Sequence, residues 1–118
     1  MINLDKDVLK QQLISQFGAD QVMSNGYGSQ SASKKLLNNK YVLKILLDED
    51  LVNTAKLFLE NNLSIAKASE AGFMHRNTLI YRLGVIERLI GLDIRKFNDA
   101  VVLNNIFVAN KTKLNNHE

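Results

Sequence analysis

The sequence predicts an all-α protein, on three observations. None of its 118 residues is proline, so nothing in the chain obliges a helix to kink or stop. Leu, Ile, Lys and Asn are abundant, and only one stretch is rich in Gly and Ser. Apolar residues recur at three- and four-residue spacings, as in Leu9-Leu13-Phe17 and Leu79-Leu83-Ile86-Ile90. Apolar residues make up 46% of the chain and charged ones 23%, the balance of an ordinary globular domain. Cysteine is absent, which excludes disulfides, thiolate metal sites and cysteine nucleophiles. No apolar run approaches the roughly 20 residues of a membrane span, and the start, Met1-Ile2-Asn3-Leu4-Asp5, lacks the layout of a signal peptide. The expected location is cytoplasmic.

The elements follow in order. A first helix is expected from Asp5, as N-cap, to Phe17, with Gly18 as its stop. Residues 18–33 contain four Ser and three Gly, and Asn25-Gly26 is a turn dipeptide, so a loop or short hairpin tip fits. Residues 34–47 read as a second helix capped by Ser33. Its half from Tyr41 to Leu47 is apolar nearly all round and therefore buried, either within the monomer or against a second copy. A third helix opens at Asp48-Glu49-Asp50, acidic where the helix dipole favours it, and ends at Asn61-Asn62. A short helix after Ser64, a connection at Gly72-Phe73-Met74 and a longer helix to about Ile90 come next, with Gly91-Leu92 as a Schellman-type stop. Asn98 is expected to cap a last helix, and the polar tail from Lys111 to fray.

Charge is unevenly divided. Residues 1–50 carry six Lys and six Asp or Glu; residues 51–118 carry nine Lys or Arg and six Asp or Glu, so the net +3 belongs to the second half. All four arginines, Arg76, Arg82, Arg88 and Arg95, are there. Arginine suits phosphate and base-edge recognition because its planar fork donates two hydrogen bonds at once. The stretch Leu63 to Leu79 has helix-turn-helix proportions, in which the second helix enters the major groove with its N-terminal residues against base edges. At 100° per residue, Leu79, Leu83, Ile86 and Ile90 form a core stripe, while Asn77, Tyr81, Gly84 and Arg88 lie opposite it. The exposed end then offers His75, Arg76, Asn77 and Thr78. Candidate base or groove contacts are Arg76, Asn77 and Tyr81; candidate phosphate contacts are Ser64, Lys67, Thr78 and Arg82, with His75 and Arg88 completing the DNA-binding set.

The string His75-Arg76-Asn77-Thr78-Leu79-Ile80-Tyr81-Arg82-Leu83, followed by Ile86-Glu87 and Gly91-Leu92-Asp93, resembles the C-terminal helix-turn-helix domain of PucR-type bacterial regulators, with a Fis-like motif. That group includes purine catabolism and sugar-diacid regulators. The resemblance covers about residues 50–110 and implies a four-helix, sequence-specific DNA-binding module. Family members usually carry a large aliphatic residue at Gly72, an alanine at Ser69 and polar residues at Gly84 and Val85.

The expected architecture is thus a helix-turn-helix bundle of about four helices with one or two extra N-terminal helices. Residues 1–47 would form an N-terminal helical segment that serves dimerisation, 48–110 the DNA-binding domain and 111–118 a frayed tail. The expected function is a small transcriptional regulator that binds double-stranded DNA as a homodimer through helix 75–90. The runner-up is a helical interaction module, with a degenerate helix-turn-helix, that pairs with a larger regulator or another protein partner. No membrane association, cofactor or metal is expected. An enzyme is disfavoured, since His75 and His117 are the only histidines and the acids are scattered.

Overall fold

The computed structural model describes residues 4–19 and 30–115, and all regular structure among them is helical. The helices are α1 (Leu4–Phe17), α2 (Gln30–Leu37), α3 (Lys40–Leu46), α4 (Glu49–Glu60), α5 (Ile65–Ala71), α6 (Arg76–Ile90) and α7 (Phe97–Asn115). The Asn25-Gly26 turn expected from sequence lies outside the described residues.

α6 is the hub of the bundle: α1, α3, α4 and α5 all pack against it. Its stripe Leu79, Leu83, Ile86 and Ile90 is buried throughout, as the 3.6-residue period requires. The remaining core comes from every helix, including Leu9, Leu13 and Phe17 of α1, Ile45 of α3, Phe58 of α4 and Ile106 of α7. α7 closes the far side against α1 and α4. Asn105 of α7 donates a buried hydrogen bond of 2.7 Å to the Phe17 carbonyl, satisfying one of the orphan acceptors at the end of α1. Among the described residues no buried side-chain nitrogen or oxygen lacks a partner.

Local chemistry sets most boundaries. The Asp48 carboxylate accepts from the Leu51 N–H at 3.1 Å and caps α4. The Ser64 hydroxyl accepts from the Lys67 N–H at 3.1 Å and caps α5. Asn62, in the left-handed region at φ 58°, ends α4: its N–H donates to Leu59 O and the Leu63 N–H to Phe58 O, a Schellman closure. Gly91, at φ 80°, ends α6 as expected and turns the chain so that Leu92 and Ile94 enter the core.

Several expectations are corrected. The second helix is two, because the Asn39 side chain accepts from the N–H groups of Tyr41 (2.8 Å) and Val42 (3.3 Å) and so starts a new helix. Ser33 is no cap: α2 begins at Gln30, shortening the expected loop, and Ser33 is buried with its hydroxyl 3.4 Å from Gln16 Oε1 on α1. The Tyr41–Leu47 stretch is not buried all round, since only Val42 and Ile45 are buried and Leu47 is 80% exposed. Asp5 is no cap either, since α1 begins at Leu4. Asn98 falls within the first turn of α7; beside it Asp99 accepts from the Asp93 N–H at 3.0 Å and ties the α6–α7 connection down. The polar tail remains helical to Asn115, and residues 116–118 lie outside the described residues.

Gly91 is also a close-approach site, where an added Cβ would lie 3.2 Å from the Lys10 Cβ on α1. Gly91→Ala therefore combines left-handed backbone strain with crowding against α1. It is expected to lower unfolding free energy by about 1–2 kcal/mol, read by urea denaturation. An unchanged midpoint would contradict this account of the turn.

Candidate nucleic-acid interface

The site is built by placing the amphipathic α6 on the core so that its polar face is outermost. α5 lies across it, and Ala68, fully buried, is small enough to let the two helices approach. Ser69, where an alanine is usual, satisfies its own hydroxyl by donating to Ile65 O at 2.8 Å, so its polarity carries no desolvation penalty. Gly72 is likewise fitted to its surroundings: an added Cβ would overlap Leu57 Cδ2 of α4. The missing side chain is matched by a leucine tip.

At the start of α6, His75 is the N-cap; its Nδ1 accepts from the Asn77 N–H at 3.1 Å. With Nδ1 accepting, Nε2–H of the neutral ring remains a donor for an external group. His75, Arg76 and Asn77 are all exposed, while Thr78 is half-buried. Arg76 sits in the first turn, where the helix dipole disfavours a cation by roughly 0.3–1 kcal/mol and no acidic residue offsets it. Stability does not explain that arginine.

Along the outer face, Tyr81 is 65% exposed and the Arg88 guanidinium lies 5.6 Å from its ring centroid, a cation–π pair across two turns. Gly84 lies between them, and a Cβ there would meet nothing closer than Arg88 Nη1 at 3.5 Å. Ser64 is half-buried and engaged as a cap, with its backbone partner Lys67 exposed beside it on α5. Arg82 is placed differently from the other cations. Its Nη1 donates to the hydroxyl of fully buried Thr54 at 3.2 Å, and its Nη2 lies 3.8 Å from the Asp50 carboxylate. It braces α6 against α4. Sequence reasoning could not see Thr54 as its partner, because the two are 28 positions apart. It also passed over Phe73, which is 99% exposed and left-handed at φ 51° in the turn before α6. The signal was the glycine beside it, which drew attention to position 72 instead.

The profile of the PucR C-terminal helix-turn-helix domain matches residues 51–106. Those residues are a PucR-type helix-turn-helix domain. The resemblance read from the His75–Leu83 string is thereby borne out, as is the all-α helix-turn-helix bundle. The carbohydrate diacid regulator of Escherichia coli K12 is 42% identical over 53 residues, 45% of this chain and 14% of that protein. The purine catabolism regulatory protein of Bacillus subtilis 168 is 35% identical over 48 residues, 41% of this chain and 9% of its own length. The uncharacterized protein YsfB of the same bacterium is 37% identical over 60 residues, 51% of this chain and 16% of its own. The chain thus matches only a small part of each relative. No solved structure matches. The PucR-type domain belongs to DNA-binding transcription regulators. Among the described residues no helix is long and apolar enough to cross a membrane.

Gly84 tests whether the outer face is shaped for stability. Its backbone is helical and an added Cβ would make only an ordinary contact with the Arg88 tip, so Gly84→Ala is expected to raise unfolding free energy by about 0.5–1 kcal/mol. Thermal melting of the two proteins reads this directly, and a lower midpoint would show that the Cβ disturbs the Tyr81–Arg88 pair.

Proposed function

We propose that the protein is a sequence-specific, cytoplasmic transcriptional regulator in which α6 is the recognition helix. The observation that carries this is the division of α6 into a fully buried stripe, Leu79 to Ile90, and an outer face presenting Asn77, Tyr81 and Arg88, with Arg76 exposed at the helix's N-terminal end. Arg76 and Asn77 enter the major groove first and contact base edges, joined by Tyr81 one turn on. Lys67, Thr78 and Arg88 contact phosphates, with Ser64 and His75 supplying a hydroxyl and an imidazole N–H at the helix starts. Arg82 acts as a positioning residue: its bonds to Thr54 and Asp50 set the tilt of α6. A homodimer would place two such helices on half-sites one DNA turn apart, about 34 Å.

The second reading, an interaction module with a degenerate helix-turn-helix, draws on Gly72, Gly84 and the apolar Tyr41–Leu47 stretch. Gly72 complements Leu57 and Gly84 leaves the helix intact, so that motive is weakened. Exposed Leu47, Phe97 and Val108 still offer apolar surface to a protein partner.

Mobility shift on duplex DNA from the protein's own promoter region tests the proposal. Arg76→Ala is expected to weaken specific binding by 1–3 kcal/mol, roughly 5- to 150-fold. Lys34→Ala, an exposed control on α2, should leave it within about twofold. Absence of any shift by folded protein at low salt, or equal losses in both variants, would overturn the assignment.

A further inference from the structure

The turn between α5 and α6 holds a large side chain for which the fold has no use. Phe73 donates its N–H to Glu70 O at 3.2 Å, and the Met74 N–H donates to Ser69 O at 2.9 Å. Together these are a Schellman closure in which Phe73 occupies the left-handed position, where glycine is strongly preferred. A glycine is present one residue earlier, but Gly72 has φ −92° and its backbone does not require it. An aromatic at 73 is therefore unfavourable on two counts, strained backbone and a ring that is 99% exposed. Other exposed apolar side chains, such as Val8 and Val108, lie within helices of ordinary backbone.

Its neighbours indicate what covers it. Phe73 is three Cα steps from Arg76, so the two backbones lie within about 11 Å of each other at the same end of α6. On the reading of α6 given above, that end enters the major groove, where the apolar feature of the base edges is the thymine 5-methyl group. We infer that Phe73 is a base-reading residue that packs on a thymine methyl at the border of the half-site contacted by Arg76 and Asn77. The inference rests on that reading. It extends the recognition surface from α6 into the preceding turn and adds an apolar contact to a set of polar ones.

The test is to select binding duplexes from a pool randomised over two helical turns, separately with wild type, Phe73→Ala, Phe73→Leu and Arg76→Ala. Wild type is expected to enrich thymine at a position that Phe73→Ala leaves random, with Phe73→Leu between them. Replacing that thymine by deoxyuridine removes only the methyl and should weaken wild type about fourfold while leaving Phe73→Ala unchanged. Phe73→Gly removes the Cβ that strains the left-handed backbone and should melt higher than wild type, whereas Phe73→Ala keeps that Cβ and, its ring having been 99% exposed, should melt close to wild type. Three outcomes overturn the inference alone: Phe73→Ala keeps the thymine preference, binds all sequences more weakly by one factor, or binds as wild type while Arg76→Ala fails. A folded wild type that enriches no sequence overturns the reading of α6 together with it.

Discussion

Burial of one stripe, Leu79-Leu83-Ile86-Ile90, is the constraint on which the remaining structure depends. Four helices pack against α6, and each touches it because these four side chains must leave water. Burying a side chain of this size is worth about 1.5–3 kcal/mol before the entropy of ordering the chain is counted, so losing any one of the four is felt by a marginally stable domain. The same burial fixes the rotation of α6 about its axis. Once the stripe faces inward, Asn77, Tyr81 and Arg88 have only solvent in front of them. The exposed face proposed for DNA is the complement of the core face, so the burial that sets one sets the other.

Rotation alone does not fix tilt or height. Those are set by contacts at the two ends of α6 and from its middle. At the C-terminal end, left-handed Gly91 brings the backbone against Lys10 and sends Leu92 and Ile94 into the core, while Asp99 holds the following turn. Ahead of the N-terminal end, Gly72 accepts the tip of Leu57, and from the middle of α6 Arg82 reaches across to Thr54 and Asp50. The Arg82–Thr54 bond involves a fully buried hydroxyl, so removing the arginine would leave that hydroxyl without this donor in the interior. An arginine that looks from sequence like one more phosphate ligand thus also braces the scaffold. That assignment reconciles its position in the motif with its half-buried side chain.

What was legible in the sequence was local. Asp48, Ser64 and Gly91 act on backbone groups within four residues of themselves, and each marks the boundary it was expected to mark. The α6 stripe was readable because helical periodicity is a property of one segment. Asn39 was equally local, yet its cap was missed, because a continuous apolar pattern through Tyr41–Leu47 outweighed one polar residue. The Arg82–Thr54 bond and the match of Gly72 to Leu57 depend on which helices meet, information that no single window contains. Phe73 was missed because the left-handed position of the turn falls one residue after its glycine.

The division of charge takes on a different meaning with the structure in place. The second half carries the whole excess of +3, but its arginines are not equally available. Arg82 is engaged with Thr54 and Asp50, and Arg95 lies 3.3 Å from Asp93 in the connection after α6. Arg76 and Arg88 remain exposed on α6, as does Lys67 on α5. If these three neutralise one phosphate each, the slope of log affinity on log salt is about −2.7 per copy, shallow for a specific DNA-binding protein. Affinity on that scale cannot rest on phosphate contacts alone. On the proposed reading, base-edge contacts from Arg76 and Asn77 and a second copy on the neighbouring half-site would raise it, since joining two modest contacts can multiply affinity by 10²–10⁴ without any new one. A weakly charged recognition surface is therefore most effective as one half of a pair, which is the physical reason to expect two copies on DNA.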